Sequence, residues 1–187
     1  MRLKPDEIRK LSNHLTNLLI KDSEVTIKSA RPKILETIER VLSHHFDDER
    51  KIDLEAERLY GERSESLGKM DRAKAMGMIR KQLAEDQDFI LSGAMDGRFS
   101  KDKVSHIAHL VADELYDDDL LDFKDEDTGP QYVKKVFTEY FDRENQVIEK
   151  VRKKIQSLGN APFEGSREWD VLYRKYFEEE MRRIDHA

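Results

Sequence analysis

The stretch Arg2–Leu19 returns ninety-six residues later as Arg98–Leu115, and this recurrence limits the fold more than any other feature of the chain. Arg2-Leu3 comes back as Arg98-Phe99 and Asp6 as Asp102. The apolar positions Ile8, Leu11, Leu15 and Leu19 come back as Val104, Ile107, Val111 and Leu115. Apolar residues at spacings of three and four form one stripe of an amphipathic helix, so the same helix is specified twice. At a shift of ninety-nine, Ile34, Ile38, Val41 and Leu42 return as Val133, Phe137, Tyr140 and Phe141, and Ile52, Ala56 and Leu59 as Val151, Ile155 and Leu158. At a shift of ninety-four, Arg80-Lys81 returns as Arg174-Lys175, Leu83 as Phe177, Glu85 as Glu179 and Ile90 as Ile184. The change of shift falls in the loop Gly159–Gly165, where length differences are tolerated. The expected architecture is all-α, two tandem helical repeats over residues 1–96 and 97–187, each a small helical bundle.

Local signals fill in this plan. Pro5 suits the first turn of a helix, with Asp6 and Glu7 facing the positive end of its dipole. Lys21–Ser29 is a polar connection whose Val25-Thr26-Ile27 reads as an extended strap, too isolated to build a sheet. A second helix starts near Pro32 and carries Ile34, Ile38, Val41, Leu42 and His45 on one face. Asp47-Asp48-Glu49 is either a break or a charged stretch of it, and Gly61 is its stop. A third helix is expected from Ser64 or Ser66 to about Leu91, ended by Ser92-Gly93, with Ala94–Gly97 as the joint between copies. Ser100 caps the next helix, the acidic connection Asp117–Asp127 follows, and Gly129-Pro130 opens the long helix of the second copy. The last helix carries Trp169, Leu172, Tyr173, Tyr176, Phe177, Met181 and Ile184.

Composition narrows the function classes. Of the 187 residues, 37% are hydrophobic and 40% charged, which fits a small core under much solvated helix surface. The net charge of −6 is uneven. Residues 1–96 hold 18 Lys+Arg against 19 Asp+Glu, a net of −1, and the remainder 16 against 21, a net of −5. Such a surface does not attract nucleic acid as a whole. There is no cysteine, which excludes disulfides, thiolate metal sites and cysteine nucleophiles and suits a reducing compartment. The start of the chain lacks the apolar core of a signal peptide, and nowhere do eighteen apolar residues run together. The expectation is a cytoplasmic protein without a membrane span.

Two segments resemble a known family. Arg2-Leu3-Lys4-Pro5-Asp6-Glu7-Ile8-Arg9-Lys10-Leu11 and Asp48-Glu49-Arg50-Lys51-Ile52-Asp53-Leu54-Glu55-Ala56-Glu57 are similar to a bacterial family catalogued as domain of unknown function 507. The second copy departs from the latter segment, reading Asn145-Gln146-Val147-Ile148-Glu149-Lys150. The resemblance implies a bacterial, cytosolic, helical protein. It brings no catalytic residues.

Several clusters carry candidate chemistry. Asp102, His106, His109 and Asp113 fall at spacings of 4, 3 and 4 and so line one face of a helix. Imidazoles and carboxylates suit Zn²⁺ or another divalent transition metal, whereas a solvated or packed face is the plainer reading. The stripe is about 16 Å long at 1.5 Å per residue, so one ion reaches only a neighbouring subset. His44-His45 with Asp47-Asp48 is a second cluster; the place of His45 on the apolar stripe makes a buried, hydrogen-bonded histidine the plainer reading, with a functional pair as the alternative. The acids Asp117, Asp118, Asp119, Asp122, Asp125, Glu126 and Asp127 do not match a calcium-loop register. They read as a solvated loop, with the docking of a basic partner or loose divalent binding as the alternatives. Lys150, Arg152, Lys153 and Lys154 form the densest basic cluster, diluted by Glu144 and Glu149, and no aromatic residues interleave with it for base stacking. The aromatics Trp169, Tyr173, Tyr176, Phe177, Tyr140 and Phe141 read as core of the second copy. Met70, Met76, Met78 and Met95 could line an adaptable surface, but so few and so scattered they read as core.

No phosphate-binding loop, nucleophile elbow, zincin motif or dinucleotide fingerprint is present. The preferred reading is a non-enzymatic protein-interaction or adaptor module without a cofactor. It would bind a protein partner through a groove between copies or through Asp117, Asp118 and Asp119. The alternatives are a metal-binding protein or metal-dependent enzyme using the His106 and His109 face, and a nucleic-acid-associated factor using Lys150–Lys154. The sequence leaves the oligomeric state open.

Overall fold

The computed structural model describes residues 3–63, 70–92, 99–125, 127–164 and 166–185. Among them run six helices and one two-stranded sheet: α1 (Pro5–Lys21), β1 (Thr26–Ile27), α2 (Arg31–Arg63), α3 (Arg72–Asp86), α4 (Lys101–Asp117), β2 (Leu121–Asp122), α5 (Thr128–Gln156) and α6 (Arg167–Asp185). The fold is thus mainly all-α. Several expected features lie outside the described residues: Arg2, Ser64, Ser66, Gly93, Ala94–Gly97 with Met95, Arg98, Glu126 and Gly165, together with the side chain of Ile184.

The helix starts follow local chemistry. Pro5 stands at the first turn of α1, and the Glu7 carboxylate accepts from the Lys4 N–H at 2.7 Å. The Asp71 and Ser100 side chains accept from Lys74 N and Lys103 N and cap α3 and α4. α2 runs unbroken through Asp47-Asp48-Glu49 and past Gly61. The helical period explains this, because Asp47 and Asp48 face solvent while Glu49 turns inward at a core position.

The chain forms two compact units, residues 1–137 and 138–187, and the division falls inside α5. In unit 1, α2 is the hub that α1, α3 and α4 pack against. Its Ile34, Ile38, Leu42, Ile52 and Ala56 are buried, as are Leu11, Leu15 and Leu19 of α1 and Val104, Ile107, Val111 and Leu115 of α4. These packing units differ from the sequence boundary at 96/97. A segment of about ninety residues buries only a thin core, and α4 completes its own against α2 of the first half. In unit 2, Val147, Val151 and Ile155 of α5 are buried, and Trp169, Leu172, Tyr173, Tyr176, Phe177 and Met181 of α6 cover them half-buried.

Three local expectations are corrected. Met70 and Met78 are exposed and so are not core, and the third helix begins at Arg72 behind the Asp71 cap, later than Ser64 or Ser66. Val25-Thr26-Ile27 is not isolated, since β1 pairs antiparallel with β2, Thr26 opposite Asp122 and Ile27 opposite Leu121. So short a ladder is marginal alone. Leu121 is fully buried behind it, and Lys28 Nζ reaches Asp119 at 2.6 Å and Asp122 at 2.8 Å. Arg40 of α2 holds Glu114 at 2.7 Å and Asp118 at 3.0 Å. The C-terminal end of α4 is thereby fixed to α2 and β1.

Candidate functional site

The four residues expected on one face of α4 do share it, but they do not converge. Asp102, His109 and Asp113 are exposed, and His109 Nδ1 donates to the Ser105 carbonyl at 2.8 Å. His106 is half-buried and turns toward α2, where its ring centroid lies 5.4 Å from that of His45. No three His, Asp or Glu side chains among the described residues are grouped to hold a metal ion.

The His45–His106 contact belongs to a buried polar cluster that joins α2, α4 and the segment after α3. Glu49 and Lys103 are both fully buried, 3.3 Å apart. Ser92 donates to Glu49 from its N–H at 2.8 Å and its hydroxyl at 2.7 Å. Lys103 Nζ donates to the Ile90 carbonyl and lies 4.3 Å from the centre of the Phe89 ring, a cation–π contact. Arg80 of α3 pairs with Asp53 at 2.6 Å and reaches Glu49 at 3.9 Å. Burial pushes the Glu49 carboxyl up, but the Ser92 hydrogen bonds and Lys103 outweigh it and hold the group below its ordinary value. His45 is buried as expected and stacks on Phe89 at 4.9 Å, but its Nε2 has no hydrogen-bond partner among the described residues, so the expected hydrogen bond at this nitrogen is corrected. Burial, then Lys103 and His106, lower its pKa to about 4; burial and Lys103 also lower that of His106. The cluster sets two carboxylates, Glu49 and Asp53, against two cations, Lys103 and Arg80, and so ties α2, α3 and α4 together.

A different site opens to solvent where α4 ends and α5 begins. It is a cleft of about 460 Å³ with an apolar wall of Ala112, Tyr116, Phe123 and Pro130, rimmed by Asp113, Asp117 and Asp125. Tyr116 is 60% exposed. Phe123 is placed by Gly129, since a Cβ there would meet two atoms of the ring at 2.5 and 2.8 Å. Asp125 is engaged as a cap, accepting from Thr128 N at 2.8 Å and Thr128 Oγ1 at 2.5 Å, and these bonds lower its pKa. Of the acids expected to dock a partner, Asp118 and Asp119 are held by Arg40 and Lys28. Asp117 and its neighbour Asp113 form no ion pair with another described residue.

A comparison with protein families matches residues 1–184 to the family described as Protein of unknown function (DUF507). The chain belongs to that family. A search of the curated proteins returns no match. Family membership assigns no chemistry, so the site has to be judged from its own groups.

The basic stretch of this DUF507 chain is largely engaged within unit 2. Lys154 sits 4.0 Å above the Tyr176 ring and 3.5 Å from Glu179, and Arg152 lies 3.5 Å from Glu164 and 3.8 Å from Glu149. Lys150 and Lys153 line a shallow hollow shared with Asp142 and Glu149, so the local field is mixed. Trp169 stacks on Tyr173 at 4.8 Å and Tyr173 on Phe177 at 5.9 Å, consistent with the expected packing role.

No catalytic motif or ligand spacing in the sequence singles out Glu49, Lys103, Tyr116 or Phe123. Glu49 had a signal, because Leu42, His45, Glu49, Ile52 and Ala56 follow 3–4 spacing and place it on the buried stripe. Tyr116 stands three residues after Asp113, on the same helix face. Nothing local marks Phe123, which depends on the turn before α5.

Proposed function

We propose that this chain is a non-enzymatic protein-interaction module of the bacterial cytoplasm, built from two tandem copies, whose contact surface is the cleft at the end of α4. The observation that carries the reading is the exposed Tyr116 beside Asp113 and Asp117, two rim acids with no ion-pair partner among the described residues, whereas the adjacent Asp118 and Asp119 are held by Arg40 and Lys28. An exposed aromatic in a concave patch with a few polar groups is typical of recognition surfaces. All the residues of the cleft lie in the second copy, so the reading places the contact within 97–187 and not between copies.

The tandem reading, with its boundary between residues 96 and 97, is supported by the order helix, short strand, long helix, helix, which occurs twice. The buried residues of α1 (Ile8, Leu11, Ser12, Leu15, Thr16 and Leu19) fall at the positions of Val104, Ile107, Ala108, Val111, Ala112 and Leu115 in α4. The cysteine-free composition suits the reducing cytoplasm.

The test is purification at near-native expression from the source cell, with each co-purifying protein identified and the complex rebuilt from purified components. Asp113→Lys with Asp117→Lys is the informative variant, because reversal at Asp118 or Asp119 would also break the ion pairs to Arg40 and Lys28. Loss of a rebuilt complex in a variant that keeps its helical spectrum supports the reading. A partner indifferent to this variant places the contact elsewhere, and the absence of any stoichiometric partner counts against an interaction role.

A further inference from the structure

Resting on that reading, we infer that the cleft at the end of α4 seats a lysine or arginine side chain from a protein partner, its charge between Asp113 and Asp117 and its apolar stem against Tyr116 and Phe123. Three observations lead there. First, the local electrostatics are unbalanced. Asp113 and Asp117 are four residues apart on one helix, a repulsive spacing, and they lie at the end where the dipole is itself negative. The last turn of α4 contains no basic residue, unlike those of α1, α5 and α6. A cation at this place relieves both terms.

Second, the chain builds the complementary arrangement twice with its own lysines. Lys154 lies between the Tyr176 ring and Glu179, and Lys103 between the Phe89 ring and Glu49. At the end of α4 the ring and the carboxylates are present, and no lysine among the described residues lines the cleft with them. Third, the seat has the right form. About 460 Å³ with an aromatic and proline wall accepts a long aliphatic stem, and the carboxylates stand at the rim where a charged head remains partly hydrated. The glycine at 129 keeps the Phe123 ring against the start of α5, which holds the wall in place. Charge complementarity and the stem-binding wall together select a basic segment over an acidic or a purely apolar one.

The experiment is an amide-resolved NMR titration of the full chain with a capped alternating lysine–alanine peptide, its arginine counterpart and a glutamine–alanine control. The expected result is a shift map over residues 112–117 and 123–130 for the basic peptides and none for the control. Asp113→Asn with Asp117→Asn weakens binding about tenfold, a loss of one anchoring charge site. The same variant raises the thermal midpoint of the free protein, because it removes acids from a helix C-terminus. Tyr116→Ala weakens binding while leaving the midpoint nearly unchanged, and Gly129→Ala weakens it by displacing Phe123. A map elsewhere on the surface, equal response to the glutamine control, or binding unaffected by the double amide variant overturns the seat. Tighter binding of spermine than of either peptide overturns the protein occupant in favour of a small polyamine. If a rebuilt partner complex survives the double amide variant, the interaction role stands and the cation seat falls. If no partner exists and no basic peptide binds, both fall.

Discussion

At the scale of single residues, the strongest commitments in the molecule are Glu49 and Lys103, two opposite charges without solvent contact. Desolvating an ion pair costs about as much as the pair returns, but leaving one partner alone costs about 3–5 kcal/mol. Lys103→Met is therefore expected to lower the unfolding free energy by about that amount. Glu49→Leu combined with Lys103→Met should recover most of the loss. Urea denaturation of the two variants decides this, and equal stabilities would mean that the pair carries no such tie. His45, beside the pair, makes the same region acid-sensitive. Its folded pKa of about 4 lies below the ordinary 6.5, so the unfolded chain binds a proton that the folded chain refuses. Stability is then full above about pH 6.5, falls as the pH drops toward 4, and levels below that, a loss of about 3 kcal/mol. His106 is lowered in the same sense, and Glu49, held below its ordinary value, adds a further loss in the carboxylate range. His45→Phe keeps the stack on Phe89 and should flatten the slope between pH 6.5 and 4 in unfolding measured across pH. An unchanged slope would place the titration on other groups.

At the scale of elements, most helix beginnings are legible in the sequence and helix ends are not; α3 is the exception at its start, since its cap is Asp71 and neither Ser64 nor Ser66. Pro5 with Asp6 and Glu7, and Ser100, announce α1 and α4 by chemistry confined to one turn. α3 and α4 stop without a glycine. Each ends on an aspartate in the left-handed region, Asp88 and Asp119, both with φ of 51°. The following residue bonds back five positions, Phe89 N to Ala84 O and Leu120 N to Leu115 O, which is the Schellman pattern. A reading that waits for glycine runs α3 on to Leu91, and so it misses that the segment from Phe89 to Ser92 leaves the helix to meet Glu49, Lys103 and His45. The pairing of β1 with β2 was hidden for a different reason, since its two strands come from opposite halves of the chain. The cleft needed both the turn after α4 and the ring placed over Gly129, neither of which spacing alone reveals. The cap geometry is open to test at Asp88, where glycine bears no Cβ penalty. Asp88→Gly should raise stability by about 0.5–1 kcal/mol and Asp88→Val should lower it by at least as much, read from urea midpoints. The opposite order would show that the Asp88 side chain contributes more than its backbone conformation costs.

At the scale of the whole molecule, the two compact units are unequal in what they bury. Unit 1 encloses fully buried side chains from α1, α2, α4 and β2, and adds the buried polar cluster and the ion pairs at the end of α4. Unit 2 encloses Val147, Val151 and Ile155, and covers them with α6 residues that all keep some solvent contact. Burial of apolar area is the main favourable contribution to folding, so unit 2 has less to set against the entropy of ordering α6. Local stability follows buried contact, and the least buried element opens first. The chain supplies a reporter for this. Trp169 is its single tryptophan and lies in α6, stacked on Tyr173, while the helical signal in the far ultraviolet is spread over all six helices. In urea, tryptophan fluorescence is expected to change at a lower midpoint than circular dichroism. Amides of α6 should exchange with deuterium at free energies below those of α1, α2 and α4. Tyr176→Leu, which removes the ring under Lys154, should move the fluorescence midpoint further down and leave the main dichroism transition in place. Coincident curves with uniform exchange protection would mean one cooperative body, and the thinness of the α6 packing would then have no thermodynamic consequence.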